Sequence, residues 1–264
     1  MRVVSLSVVL ITHNESANVA ACLESVGFAD EWIVVDSGST DGTPEIARGL
    51  GATVVQFPDW PGFGVQKNRA LALATGEWVL SIDADERVTP ELKASLLAAM
   101  SAGTTGTAYE IERLSRFCGQ WMHHGDWYPD RVTRLFPRGQ GRFTNDLVHE
   151  RLVVDGKVER LAGHLLHETM PSLDDALSKM NRYSTGRAAD KVQAGRTGSL
   201  SAAMLHGAWA FFRSYVIRRG FLDGRLGFVL AVYIAEGTYY RYLKMAILSG
   251  ALGQSVNQPK SSGS

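Results

Sequence analysis

The chain has 264 residues, 45% hydrophobic and 20% charged, as expected of a globular protein with one large core or a core and a small appendage. Its net charge is zero, but acidic side chains outnumber basic ones in residues 1–172 and the reverse holds in residues 173–264. The two cysteines, Cys22 and Cys118, exclude a disulfide framework and a zinc site of standard spacing. We expect a cation-using site in the first part and a surface for an anionic partner in the second.

The first hundred residues alternate short apolar strands with helices. The pattern predicts strands at 6–11, 32–35, 53–57 and 78–82, and helices at 16–26, 43–50 and 65–74. No small-residue cleavage site follows the apolar residues 1–12, so we interpret them as leading into the first strand rather than as a signal peptide. Short strands between longer helices imply βαβ units and an α/β fold with a mainly parallel, Rossmann-like sheet.

Polar side chains follow the ends of the predicted strands. They are Thr12, Asn14 and Glu15 after the first strand, Asp36 after the second, and Asp83 and Asp85 after the fourth. At the carboxyl edge of a parallel sheet these residues meet in one crevice, where two neighbouring carboxylates favour a hard divalent cation that holds a diphosphate. The alternative is an acidic turn in front of a helix that begins at Thr89 and Pro90. The absence of a G-x-G-x-x-G segment after the first strand and of a P-loop excludes those two nucleotide sites.

Four segments in this order resemble family 2 glycosyltransferases of the GT-A fold. They are residues 8–15 (VVLITHNE), 34–43 (VVDSGSTDGT), 67–70 (KNRA) and 82–86 (IDADE). The resemblance implies an inverting transferase that uses a nucleotide-sugar donor together with Mg²⁺ or Mn²⁺. Such an ion would neutralise the charge that develops on the departing nucleoside diphosphate. His13 stands where the family usually has tyrosine.

The resemblance also implies roles for individual residues, all of them on the donor side. By position, Thr12, Asn14, Glu15 and Asp36 would hold the uridine half of the donor, Lys67 and Asn68 would lie near its ribose and diphosphate, and Asp83 and Asp85 would carry the metal, with Asp83 also contacting the donor.

Residues 105–172 are expected to complete the site, with strands at 107–113, 133–136 and 152–154. Residues 118–131 are rich in aromatic and histidine side chains, which favours a loop that stacks on an acceptor sugar; a packed hydrophobic loop is the alternative. Residues 127–150 are similar to the subgroup that adds glucose to the inner core of lipopolysaccharide.

An inverting transfer needs a base that takes the proton of the acceptor hydroxyl. The carboxylates available after the metal motif are Asp126, Asp130, Asp146 and Glu150. We favour Glu150, which precedes a predicted strand, and place Asp130 second; a salt bridge with a nearby arginine is the alternative for each. His167 is a candidate third metal ligand or a core histidine.

In the last quarter of the chain, the pattern of apolar and charged residues predicts helices at 173–193, 200–217 and 226–248. The composition of residues 249–264 predicts a disordered tail. Neither apolar helix is expected to span a bilayer, because 200–217 is too short and 226–248 contains Glu236, Arg241 and Lys244. Their aromatic and basic residues are typical of helices that lie on an anionic membrane surface. Packing on the domain or on a second subunit is the alternative.

These observations, together with the resemblance to family 2 glycosyltransferases, predict a GT-A domain over residues 1–172, a helical membrane or acceptor region over 173–248, and the tail. The predicted activity is transfer of a hexose, from UDP-glucose, to a lipid-linked saccharide such as lipopolysaccharide core, on the cytoplasmic face of the cell membrane. No nucleic-acid partner is expected. The alternatives are another donor sugar with a polysaccharide or glycolipid acceptor, a dehalogenase-type phosphatase, and a non-catalytic nucleotide-sugar-binding membrane scaffold. The phosphatase would need its Asp-x-Asp on the first strand, not the fourth.

Overall fold

The computed structural model describes residues 4–103, 106–144 and 151–252. Packing divides the chain into two units. The sheet unit comprises residues up to 114 together with 130–168, and the helical unit comprises 115–129 together with the residues from 169 on. The aromatic stretch at 118–131 falls largely in the helical unit, and the domain boundary at residue 172 stays a prediction.

Four parallel strands form the part of the sheet unit that carries the predicted donor residues. They are β1 (Leu6–Thr12), β2 (Glu31–Asp36), β3 (Thr53–Gln56) and β4 (Trp78–Ser81), in the spatial order β3-β2-β1-β4. The helices between them are α1 (Val19–Ser25), α2 (Thr43–Gly49) and α3 (Phe63–Leu73). The predicted α/β fold is confirmed. Helix α1 begins later than predicted, because residues 16–18 form a turn in front of it.

The apolar runs of β1, β2 and β4 are largely buried on both faces of the sheet, whereas β3 is partly exposed. Val8 and Leu10 belong to one hydrophobic cluster, whereas Val9 and Val35 belong to another. Because successive side chains of a strand point to opposite faces, both faces are covered, as is typical of parallel sheets.

Four further strands continue the sheet beyond β4, and the pairs β4–β8, β8–β6 and β11–β5 are antiparallel. In spatial order they are β8 (Asp130–Pro137), β6 (Thr107–Phe117), β11 (Lys157–Met170) and β5 (Glu86–Val88). β7 (Gln120–Trp121) pairs with β6, and β9 (Gly141–Phe143) pairs with β10 (Leu152–Val154) in a separate two-stranded sheet. The sequence prediction misses β5, β7, β9 and β11, because these strands are very short or lack a regular apolar alternation.

Helix α4 (Pro90–Ala102) begins at the predicted cap, where the Thr89 hydroxyl accepts a hydrogen bond from the Leu92 amide at 3.3 Å. The start of α4 packs closely against β11 at Gly163. A Cβ atom at position 163 would lie 2.4 Å from the Leu92 nitrogen, and Gly163 has a φ of +88°. Both constraints require glycine there.

Three helices make up most of the helical unit. They are α5 (Leu173–Gln193), α6 (Leu200–Phe212) and α7 (Gly224–Leu248), with a π-helical turn at Arg213–Ile217 and 3-10 turns at Gly125–Trp127 and Gly220–Asp223. Phe117, Met122, Met170 and Leu230 form the buried core of this unit. In the part of the chain that the structure describes, no helix combines the length and the apolar character needed to cross a bilayer. Most of the predicted tail, residues 253–264, lies outside the described residues.

Candidate active site

Asp36, at the carboxyl end of β2, organises the loop that follows it. Its buried carboxylate accepts hydrogen bonds from the Thr12 hydroxyl at 2.9 Å, the Gly38 and Ser39 amides at 3.1 and 3.0 Å, and the Ser39 hydroxyl at 2.5 Å. Burial raises the pKa of Asp36, but the hydrogen bonds from Ser39, Thr12 and Gln56 outweigh it and lower the pKa below its usual value. The structure therefore brings Thr12 and Asp36 together, with Asp36 ionised.

The loop after β1 is joined to the loop after β2. Asn14 adopts a left-handed backbone conformation, with a φ of 57°. The side-chain oxygen of Asn14 accepts a hydrogen bond from the backbone amide of Thr40 at 2.9 Å. The backbone amide of Asn14 donates to the Ser39 hydroxyl at 2.8 Å. Glu15 accepts from the Asn18 side chain at 2.9 Å. Thr12, Asn14, Glu15 and Asp36 thus lie along one edge of the sheet unit, as predicted from the strand ends.

Six charged side chains of the sheet unit form an alternating series, which we call the charge chain. In order its members are Lys67, Asp83, Arg134, Glu86, Arg113 and Asp130. The successive nitrogen–oxygen distances are 3.0, 2.5, 2.6, 3.2 and 2.7 Å. The three cations and three anions balance, which is the condition for burying so many charges together.

Three members of the charge chain are almost completely buried. Glu86 has no exposed surface, and the residues Lys67 and Arg134 are 6% and 5% exposed. Burial opposes ionisation of Asp83, but the charges of Arg134 and Lys67 hold the pKa of Asp83 well below its usual range. Burial would lower the pKa of Arg134, whereas Asp83 and Glu86 raise it above its usual value. Asp83 is therefore a carboxylate held by two cations.

Asp85 lies outside the charge chain and meets His167 instead. The Nε2 atom of His167 is 3.2 Å from a carboxylate oxygen of Asp85. The antiparallel pairing of β5 with β11 sets this contact, because it places His167 opposite Glu86, and the Glu168 amide donates to the Asp85 carbonyl at 2.9 Å. Both side chains are partly exposed.

An imidazole nitrogen and a carboxylate oxygen at one point suit a divalent cation such as Mn²⁺. Within residues 4–103, 106–144 and 151–252, no three His, Cys, Asp or Glu side chains are arranged to hold a metal. Asp85 and His167 therefore fit a two-ligand site that leaves the remaining positions to a diphosphate or water.

The side chain of Asn68, the neighbour of Lys67 on α3, forms two hydrogen bonds with the backbone of β9. Its amide nitrogen donates to the Phe143 carbonyl and its side-chain oxygen accepts from the Phe143 amide, both at 2.9 Å. The Lys67 ammonium lies 5.3 Å from the centroid of the Phe143 ring. Asn68 thus fixes β9 against the helix that carries Lys67.

Of the four candidate bases, two lie in the described residues, and both of these form ion pairs with arginines. Glu150 and Asp146 lie outside the described residues. Asp130 ends the charge chain, where Arg113 contacts one of its carboxylate oxygens through Nε at 2.8 Å and Nη2 at 2.7 Å. Asp126 belongs to the helical unit and forms ion pairs with Arg213 and Arg218.

Sequence reasoning missed Arg113, Arg134 and the position of Glu86 in the charge chain. Arg134 carried a usable signal, because it is a charged residue within the apolar predicted strand 133–136. A charge inside a buried strand requires a partner of opposite sign.

The sequence is similar to a known protein family and to several glycosyltransferases. The profile of the family described as "Glycosyl transferase family 2" matches residues 7–152. The chain is 33% identical to an uncharacterised glycosyltransferase of Rickettsia prowazekii, over 92% of this chain and 87% of the relative. It is 30% identical to the lipopolysaccharide core biosynthesis glycosyltransferase LpsC of Rhizobium meliloti, over 90% of this chain and 93% of the relative.

Among solved structures, glucosyl-3-phosphoglycerate synthase of Mycobacterium tuberculosis, in complex with Mn²⁺, UDP and its glucosylated product, is 32% identical. The match covers 43% of this chain and 45% of that one, with a TM-score of 0.37, too low to support a conclusion about this chain. The family profile spans the parallel strands, the Asp-x-Asp segment and β8, and the curated relatives extend over nearly the whole sequence. The chain therefore belongs to glycosyl transferase family 2.

Proposed function

We propose that the protein transfers a hexose, from UDP-glucose, to a lipid-linked saccharide such as lipopolysaccharide core, with inversion at the anomeric carbon. The observation that carries the proposal is the pairing of Asp85 with His167, two residues after Asp83 of the charge chain. Asp83 follows β4, which pairs with β1, and β1 ends at Thr12, whose hydroxyl donates to Asp36. The acceptor class is supported by the similarity to LpsC over most of both chains. Family membership removes the phosphatase alternative.

On the donor side, Thr12, Asn14, Glu15 and Asp36 would hold the uridine half, and Lys67 would contact the diphosphate. Asp85 and His167 would hold Mg²⁺ or Mn²⁺, which supplies Lewis-acid neutralisation of the diphosphate when bound. Asp83, the other predicted ligand, can turn to the ion or to the donor only by releasing Lys67 or Arg134. A diphosphate would offer Lys67 a second anionic partner and so lower the cost of that release.

The decisive experiment is a panel of nucleotide sugars, tested first by thermal shift in the presence of Mn²⁺ and then by release of UDP with a saccharide acceptor. A donor that binds the native state raises the melting temperature. Stabilisation by UDP-glucose with acceptor-dependent release of UDP supports the proposal. Stabilisation without turnover would favour the non-catalytic scaffold, and a preference for another nucleotide sugar would change the donor.

Glu150→Gln is expected to lower the transfer rate by about 10²-fold or more, because the amide cannot take the proton of the attacking hydroxyl. UDP binding should be nearly unchanged, since the base faces the acceptor. The measurements are kcat with saturating acceptor and the affinity for UDP by calorimetry.

Asp130→Asn is the matched comparison. Asp130 is engaged by Arg113, so we expect its replacement to reduce stability through the charge chain more than it reduces the chemical step. If Glu150→Gln is active and Asp130→Asn is folded but inactive, the two assignments are exchanged.

We further propose that α6 and the turns after it rest on the cytoplasmic face of the cell membrane. Large apolar side chains are exposed along this segment, namely Met204, Leu205, Trp209, Phe212, Val216, Ile217, Phe221 and Leu222. Arg218, Arg219 and Arg225 are exposed beside them. Apolar residues flanked by arginines fit an anionic lipid surface, to which each basic residue contributes about 1 kcal/mol.

Flotation with anionic liposomes should carry the full-length protein upward at low salt and less of it at high salt. The control variant Leu205→Glu/Ile217→Glu changes two exposed side chains and should stay at the bottom with an unchanged melting temperature. A wild-type protein that ignores these liposomes and elutes as a dimer would instead identify the apolar face as a subunit interface.

A further inference from the structure

The helical unit contains a cavity of about 520 Å³ that none of the donor-site residues line. It is lined by residues of α5, α6, α7 and the Gly125–Trp127 turn, including the aromatic side chains of Trp127, Tyr183, Trp209 and Tyr233. Its volume falls within the usual range for small-molecule sites, about 300 to 1,000 Å³.

Arginines give this cavity an excess of positive charge. Arg187, Arg213 and Arg241 line it together with one carboxylate, that of Asp126. Arg213 is already neutralised, because its guanidinium donates to both oxygens of Asp126. The Arg241 guanidinium lies 5.2 Å from the centroid of the Tyr242 ring. No ion pair joins Arg187 or Arg241 to a carboxylate in the ranges that the structure describes, so neither positive charge is neutralised by an anion there.

Arg241 has in addition an unmet hydrogen-bonding requirement. Its Nε atom is buried and has no hydrogen-bond partner among the described residues. A buried donor without an acceptor is destabilising, and an oxyanion is the partner that a guanidinium binds best. Burial raises the pKa of Tyr233 to about 12, so its hydroxyl stays protonated and available as a further donor.

We propose that this cavity binds a sugar ring that carries a phosphate or a carboxylate group. The guanidinium groups of Arg187 and Arg241 bind the oxyanion, and the aromatic side chains pack on the ring. The identification of this sugar as part of the saccharide acceptor rests on the proposed function, whereas the site itself does not.

Calorimetric titration of the full chain with four probes tests the ligand chemistry: glucose, inorganic phosphate, glucose 6-phosphate and glucuronate. The charged sugars, glucose 6-phosphate or glucuronate, should bind at least about tenfold more tightly than glucose or inorganic phosphate. The reason is that a charge-assisted hydrogen bond is added to the contacts of the sugar ring. The ratio of glucose 6-phosphate to glucuronate affinity then distinguishes a phosphorylated from a carboxylated sugar. Equal binding of glucose and the charged sugars would overturn the proposal.

Variants locate the site. Arg187→Gln/Arg241→Gln should weaken binding of the charged sugar by about tenfold or more. Arg196→Gln, which removes an exposed arginine outside the cavity, should not change it. If the double variant does not fold, Arg241→Lys keeps the charge but loses the planar fork and should still weaken binding.

Competition separates this site from the donor site. Excess UDP with Mn²⁺ should leave binding of the charged sugar unchanged, and displacement by UDP would overturn the proposal. Because the readout is binding, an inactive transferase that still binds the charged sugar would contradict the proposed function alone. Loss of sugar binding with normal turnover would contradict this inference alone.

Discussion

Asp85→Asn is expected to reduce transfer by about 10³-fold or more while leaving the melting temperature nearly unchanged. Neutralisation of a developing phosphate charge by a bound cation contributes several kcal/mol to the transition state, and each 1.36 kcal/mol corresponds to a factor of about ten in rate. Asp85 is partly exposed and lies outside the charge chain, so its loss removes a proposed ligand without leaving a buried charge unpaired. The measurements are UDP release and thermal melting, each with and without Mn²⁺.

Three comparisons make this test specific. His167→Ala should lower activity in the same direction and weaken the stabilisation that Mn²⁺ gives in the presence of UDP. Asp155→Asn, which changes an exposed carboxylate of the same unit, should be fully active. Chelation of the wild-type protein should abolish turnover reversibly. Full activity in excess chelator would contradict the metal site and the role of Asp85.

Arg134→Met is expected to lower the free energy of unfolding by about 3 to 5 kcal/mol, the usual cost of removing one partner from a buried ion pair. The variant leaves Asp83 with Lys67, but Glu86, which has no exposed surface, loses its 2.6 Å partner and keeps Arg113 at 3.2 Å. Urea unfolding of the wild type and the variant measures the difference.

A second substitution tests whether charge balance is the cause. Arg134→Met/Glu86→Gln removes one charge of each sign and leaves the pairs Lys67–Asp83 and Arg113–Asp130, so it should be more stable than Arg134→Met alone.

The folded pKa of Asp83 is lowered, so its contribution to stability is present above the unfolded value of about 3.9 and is lost as the pH falls through the folded value. The destabilisation by Arg134→Met should therefore shrink in acid. A pH-independent loss, or a double variant no better than the single one, would point to packing instead.

The sequence predicts the parallel half of the sheet unit well, because each of its strands is a short apolar run that ends in polar residues. The position of Asp36 at the end of β2 follows from that pattern alone. The contact of Asp85 with His167 does not, because it depends on the register of β5 with β11, and β11 has no alternating pattern to identify it. Residues distant in sequence, such as Glu86 and Arg134, become partners only when such strands are aligned. A single sequence contains no signal for that alignment.

The charge chain also has a thermodynamic consequence. Lys67 and Asp130 stand at its two ends, and each intermediate side chain is bound to a charge on either side. An anion that draws Lys67 away from Asp83 alters the balance at Arg134, then at Glu86, and finally at Arg113. Replacing Asp130 by asparagine removes the negative charge that Arg113 contacts and alters the same balance from the opposite end. Coupling between two changes is reciprocal, so the Asp130→Asn substitution must alter the affinity for a nucleoside diphosphate by the same factor by which a bound diphosphate alters the stability cost of that substitution.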